Sequence, residues 1–232
     1  MPGNREKIVF FDFCGTLVPF QSAPRYINFV LDNYPRKAAL IRRRIRAMLE
    51  KWRIPKRLER YSKGLFKQKE IELWPLRGYG QETLDNAAKR FYEEVIKPNL
   101  IPEVMKEYHR YQQDGYRVVL ISGGFGIYLR YFAAEHGIAA NDIISSNVQI
   151  KRGKATGKLE GMDCMGKNKL TLLEQRYDKT KIYSEALSDS ESDIPMLQWV
   201  NRGIVVSPKP TWNKLYGFDV IVYKEQENNT QI

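Results

Sequence analysis

The sequence predicts an α/β fold, a doubly wound and mostly parallel sheet with a small all-helical cap domain. Three observations lead there. Short, continuously apolar runs recur along the chain, as strands buried on both faces of a parallel sheet require. Helical patterns separate them, the alternation that winds helices onto both faces of a sheet. One long interval, residues 20–98, has helical periodicity and no good strand.

In order, the apolar runs are residues 8–13, 118–121, 143–146, 181–183, 204–206 and 220–223. Residues 102–114 read as a helix with proline in its first turn and Gly115 as its stop, directly before RVVLIS. Residues 127–136 form a second helix closed by Gly137, and 167–177 a third. In such sheets ligands collect at the carboxyl ends of the strands. Inside the long interval, Ile41, Ile45, Met48, Leu49 and Trp52, then Leu84, Ala87, Ala88, Phe91 and Val95, fall at helical spacing. That interval leaves directly after the first strand and returns near Pro98. Residues 1–19 and 99–232 are therefore expected to form the α/β core, and 20–98 a basic helical cap over the strand ends.

Composition narrows the classes. The 232 residues are 43% hydrophobic and 12% aromatic, values of a packed globular chain with room for one full domain and an insert. Two cysteines, Cys14 and Cys164, give no material for a disulfide scaffold or a cysteine-built zinc site. No run approaches the roughly 18 apolar residues that span a bilayer. MPGNREK lacks the pattern of a secretory signal, so a cytoplasmic location is expected. The formal net charge of +11 is concentrated in residues 36–70, where 14 Lys or Arg face 3 Asp or Glu.

Three turns and a helix start carry chemistry. The first strand ends in Phe11-Asp12-Phe13-Cys14-Gly15-Thr16, which presents a carboxylate at a crevice where phosphate and metal can meet. The second ends in Ser122-Gly123-Gly124-Phe125-Gly126 and is read as opening a helix, whose free amides and dipole favour an anion. Ser188-Asp189-Ser190-Glu191-Ser192-Asp193 follows the strand at 181–183; Asp189 and Asp193 are hard oxygen donors suited to Mg²⁺. Between these turns, Lys167 and Lys169 begin a helix, where an ammonium can offset phosphoryl charge.

Asp-x-x-Gly-Thr, Ser-Gly-Gly, Lys and Asp-x-x-x-Asp, in this order over nearly the whole chain, resemble the four motifs of the haloacid dehalogenase superfamily. The helical insert after the first motif, and the stretch VVLISGGF, are similar to the phosphoserine-phosphatase-like branch. The resemblance implies that Asp12 becomes an aspartyl phosphate, and that Asp12, the Cys14 carbonyl and Asp189 bind Mg²⁺ while Asp193 orders a metal water. Ser122 and the Gly123 amide hold phosphoryl oxygens, Thr16 orients the loop and Lys169, or failing it Lys167, steadies nucleophile and phosphate.

Two positions depart from that pattern. Family phosphatases carry a second aspartate two residues after the nucleophile as acid and base, and Cys14 stands there. Three readings follow: a working phosphatase whose protons come from Cys14, another cap residue or water, a phosphotransferase or long-lived phosphoenzyme, or a weakened domain that binds an anionic partner. Nine residues after the nucleophile, Gln21 replaces a glutamate that reads the substrate ammonium in phosphoserine phosphatases, which argues against phosphoserine itself. Residues 42–57, rich in arginine around an apolar stripe, suit a small, sugar- or lipid-linked phosphate substrate and contact with a membrane surface. Nucleic acid is not expected, and the sequence leaves oligomeric state open. His109 reads as exposed, His136 as a charged partner of a helix C-terminus, and Cys164 as structural.

Overall fold

The computed structural model describes residues 5–51, 68–211 and 213–224. Trp52 and the basic residues between it and Gln68 lie outside the described residues, as do residues 225–232. The sheet has seven strands in the order β4-β3-β2-β1-β5-β6-β7: β1 Glu6–Phe11, β2 Arg117–Phe125, β3 Ile143–Lys151, β4 Lys154–Glu160, β5 Ile182–Ser188, β6 Arg202–Val206 and β7 Asp219–Ile221. Every pairing is parallel except the β3–β4 hairpin. Central β1 sets the geometry, with Ile8–Phe11 beside Arg117–Leu120 of β2 and Glu6–Phe11 beside Ile182–Leu187 of β5.

Ile8, Val9, Phe10 and Phe11 are all fully buried, and the two-residue period of a strand divides them between two apolar layers. Val9 and Phe11 join the layer of α1 (Ser22–Asn33), α4 (Gln81–Phe91), α5 (Pro102–Gln113) and α6 (Gly126–Glu135). Phe11 there meets Tyr108 and Tyr111 at 5.5 and 5.9 Å between ring centroids. Ile8 and Phe10 join Cys164, Leu173, Met196 and Leu197 on the side of α7 (Lys167–Arg176) and α8 (Ile194–Trp199).

Between β1 and α5, the described chain is helical: α1, α2 (Lys37–Lys51), α3 (Gln68–Leu73) and α4, which runs on through a π turn at Tyr92–Ile96. Tyr26, Ile27, Val30, Leu84, Ala87 and Phe91 belong to the same buried cluster as Phe13 and Phe125, so α1 and α4 share the core layer of the sheet. Only Ala39 of α2 is buried. One helix, α9 (Asn213–Tyr216), connects β6 to β7. Among the described residues no helix is long and apolar enough to cross a membrane.

Candidate active site

Past the end of β1 the chain turns tightly. The Gly15 amide donates to the Val18 carbonyl at 2.7 Å, and the Leu17 and Val18 amides both donate to the Phe13 carbonyl, at 2.9 and 3.1 Å. Gly15 has φ +78°, and a Cβ there would overlap the Asp189 carboxylate, so both the turn and the approach of the neighbouring loop require glycine. The Asp12 amide donates to the Leu187 carbonyl at 3.0 Å, extending the β1–β5 ladder and fixing the nucleophile candidate beside the Asp189 loop.

Lys169 reaches Asp12 from the first turn of α7. Its Nζ lies 2.8 Å from Asp12 Oδ1 and 2.5 Å from Asp193 Oδ2, and none of the three side chains is more than 6% exposed. Ser188 Oγ donates to the same Asp193 oxygen at 2.6 Å. The other Asp193 oxygen is buried without a partner among the described residues. Burial alone would favour the neutral amine, but two carboxylates in contact outweigh it and hold the Lys169 ammonium above its usual range. Asp12 is pushed up by burial, against the pull of that ammonium, and the two form an ion pair. Asp189, first through burial and then through the Asp12 charge, is pushed up to about 7.

The donor set fits Mg²⁺. It consists of hard oxygens, and a divalent cation between Asp12 and Asp189 would cancel the repulsion that raises Asp189. Among the described residues no three His, Cys, Asp or Glu side chains cluster as a metal site, so such an ion would also draw on a main-chain oxygen, as of Cys14, and on water.

Around these groups runs one cavity of about 210 Å³. Asp12, Cys14, Gln21, Gly123, Lys169, Asp189 and Asp193 all line it. Ser122 and Thr16, both fully buried, lie outside that lining. Ser122 Oγ accepts the Gly124 amide at 3.0 Å, and Thr16 Oγ1 has no partner among the described residues. Lys167 is exposed, so of the two candidate lysines only Lys169 enters the site.

The glycine turn differs from the sequence expectation. β2 continues through Phe125 and α6 starts at Gly126, so Ser122 and Gly123 lie in a strand rather than at a helix N-terminus. The register against β3 slips between Ser122 and Phe125, the mark of a bulge that re-aims the strand end. His136 also departs from its expected role. Its ring lies tilted against Phe132 at 4.3 Å between centroids, and burial holds its pKa below the usual value rather than charging it for the helix end.

Cys14 heads a buried polar chain: its Sγ is 3.0 Å from Ser22 Oγ, which is 2.6 Å from Tyr128 Oη. Burial, then the Asp12 charge, push the thiol up, so it stays protonated and cannot act as a base. Sequence reasoning missed Lys69 and Glu72, which line the cavity from α3. Lys69 is 6% exposed; its ammonium donates to the Gly123 carbonyl, to Asp163 Oδ1 at 2.8 Å and to Ser146 Oγ at 3.2 Å. Their spacing of three marks one helix face, but no motif accompanied it.

A mostly parallel sheet with an aspartate at the tip of its central strand, paired to a buried lysine and faced by a second acidic loop, places an acidic site at the strand ends of an α/β domain. The chain belongs to the haloacid dehalogenase-like hydrolases, whose family profile matches residues 9–198. Over 103 residues, 43% of this chain and 48% of the relative, it is 31% identical to a phosphoserine phosphatase of Halobacterium salinarum. Over 149 residues, 60% of this chain and 64% of the relative, it is 27% identical to a histidinol-phosphatase of Neisseria meningitidis serogroup C. The matched stretches thus span about half to two thirds of those proteins. A solved phosphoserine phosphatase in its apo form shares the fold with TM-score 0.61 at 21% identity, over 96% of each chain.

Proposed function

We propose that this chain is a Mg²⁺-dependent phosphomonoester hydrolase that carries the phosphoryl group on Asp12. The observation that bears most weight is the convergence of Asp12, Lys169, Asp189 and Asp193 on one cavity at the carboxyl ends of β1 and β5. Mg²⁺, held by Asp12, Asp189 and the Cys14 carbonyl, with Asp193 behind its water, would offset charge on the transferring group. Asp12 attacks phosphorus, Lys169 keeps the carboxylate ionised and oriented, and the Gly123 strand end lies against the phosphoryl oxygens with Ser122 and Thr16 bracing the loops. Residues 20–98 act as the cap over the 1–19 and 99–232 core, and contribute Gln21, Ala23, Pro24, Lys69 and Glu72 to the cavity wall.

The cavity volume suits a small phosphate ester, and both curated relatives carry the names of small-molecule phosphatases. Two reduced, buried thiols accord with work in the cytoplasm. The test is Mg²⁺-dependent release of nitrophenol from p-nitrophenyl phosphate, abolished in Asp12→Asn; inactivity across a broad panel of phosphate esters would refute the reading. Because Cys14 is held as a neutral thiol, a slow phosphotransferase is the second reading, visible as hydroxylamine-sensitive phosphate on Asp12 that outlives the substrate.

A lipid-linked substrate has its own support. Lys37, Ile41, Arg44, Ile45, Met48 and Lys51 are exposed on one face of α2, with no acidic residue among them. Such a face suits an anionic bilayer, and sedimentation with phosphatidylserine vesicles, lost on Arg44→Glu with Ile45→Asp, is the expected result. Equal sedimentation of parent and variant would discard that contact.

A further inference from the structure

Cleaving an alkyl phosphate requires a proton on the departing oxygen, and in this cavity the expected donor is missing. Cys14 occupies its place with a buried thiol, bonded to Ser22. Four carboxyl groups line the cavity: Asp12, Glu72, Asp189 and Asp193. Asp12 and Asp193 are bound to Lys169, and Asp189 packs against Gly15 beside Asp12. Glu72 is left, and among the described residues its carboxyl makes no hydrogen bond or ion pair; only its main-chain carbonyl is engaged, by Arg46 at 3.3 Å.

Its position is fixed from below. Glu72 sits one turn along α3 from Lys69, whose ammonium is tied to Gly123, Ser146 and Asp163 on the core side of the cavity. That anchor holds the α3 face carrying both residues against the cavity that Asp12 and Asp189 also line. We propose that Glu72 is the acid and base of this site, protonating the leaving oxygen and then activating water; the inference rests on the phosphatase reading above.

The steps balance. Asp12 Oδ bonds to phosphorus as the phosphorus–oxygen bond of the ester breaks, and the leaving oxygen takes the Glu72 proton to depart as the alcohol. Water then occupies the vacated position and gives a proton to the Glu72 carboxylate while its oxygen attacks phosphorus. Phosphate leaves, Asp12 is a carboxylate again, and Glu72 is protonated for the next cycle. One group serves both halves because leaving oxygen and attacking water hold the same apical place.

The surroundings of Glu72 suit that cycle. Lys69 faces it from its own helix, Arg46 and Glu50 from α2, and Asp163 from the loop after β4. Burial raises its pKa and outweighs the pull of the two cations, the direction an acid that must carry a proton requires.

The test compares Glu72→Gln with the parent on p-nitrophenyl phosphate and on glycerol 2-phosphate, both with Mg²⁺. Only the alkyl ester needs protonation to leave, and kcat/KM reads the chain of events up to that cleavage. The expected result is a fall in kcat/KM of roughly 10²- to 10⁴-fold for glycerol 2-phosphate, with nearly unchanged kcat/KM for the nitrophenyl ester. With that ester the variant should also release a burst of nitrophenol, because phosphoenzyme hydrolysis has lost its base. Retained nitrophenyl kcat/KM shows that the variant is folded. Adding Cys14→Asp to Glu72→Gln should restore much of the alkyl activity. An equal effect on both esters, or no effect, would overturn the role of Glu72 and leave the phosphatase standing; inactivity of the parent on both would remove the reaction and the role together.

Discussion

A lysine stays charged in a protein interior only where carboxylates surround it, and at Lys169 two of them do, at 2.8 and 2.5 Å. Removing the ammonium strands two buried negative charges, which typically costs about 3–5 kcal/mol. Lys169→Met is therefore expected to lose stability of that order in urea denaturation without metal; a loss under about 1 kcal/mol would show that the pair carries little. The same contact explains which residue-scale features were legible. Asp12, Lys169, Asp189 and Asp193 could be read because each stands at a motif beside a strand, where chain direction delivers it to the sheet edge. Lys69 and Glu72 could not, because their place in the cavity depends on how α3 docks, and nothing in a stretch as charged as QKEIEL distinguishes a solvated face from a buried one.

At the scale of elements, apolar runs located the strands better than their ends. β2 was expected to stop near Ile121, yet it reaches Phe125 because pairing with Ser145 and Ser146 of β3 keeps the glycines extended through the bulge. β4 falls outside the six apolar runs because KATGKLE offers only Ala155 and Leu159 as apolar side chains, and its burial comes with pairing to β3. The end of α6 carries a pH response. His136 rests on Phe132 and Tyr108, and its folded pKa is lower than the value near 6.5 of an unfolded histidine. Its contribution is thus complete above about pH 6.5, where both states are neutral, and diminishes as acid protonates the unfolded chain first. Replacing it in His136→Phe should flatten the loss of stability between about pH 7 and 5 in thermal melts; an unchanged slope would exclude His136 as its source.

Across the whole molecule, two apolar layers back a single sheet, and the acidic site lies where three parallel strands end. The alternation of runs and helices made this architecture readable, whereas how closely α1 and α4 join the core layer depends on Tyr26, Phe91 and Phe125 meeting through space. Since the unfolded chain cannot gather Asp12 and Asp189, a cation bound there must stabilise the fold by mass action. Mg²⁺ at a hundredfold excess over its Kd should add about 2.7 kcal/mol, read as a raised Tm, and Asp189→Asn should abolish the rise. An equal rise in the variant would place the ion elsewhere. The burial of Cys14 and Cys164 reaches beyond catalysis. Both cysteines are under 9% exposed and held as thiols, with Cys164 pushed up to about 12, so iodoacetamide and mild peroxide find little thiolate to attack while the chain is folded. Alkylation should then proceed only as fast as the domain opens, which turns two inert side chains into an internal clock for unfolding.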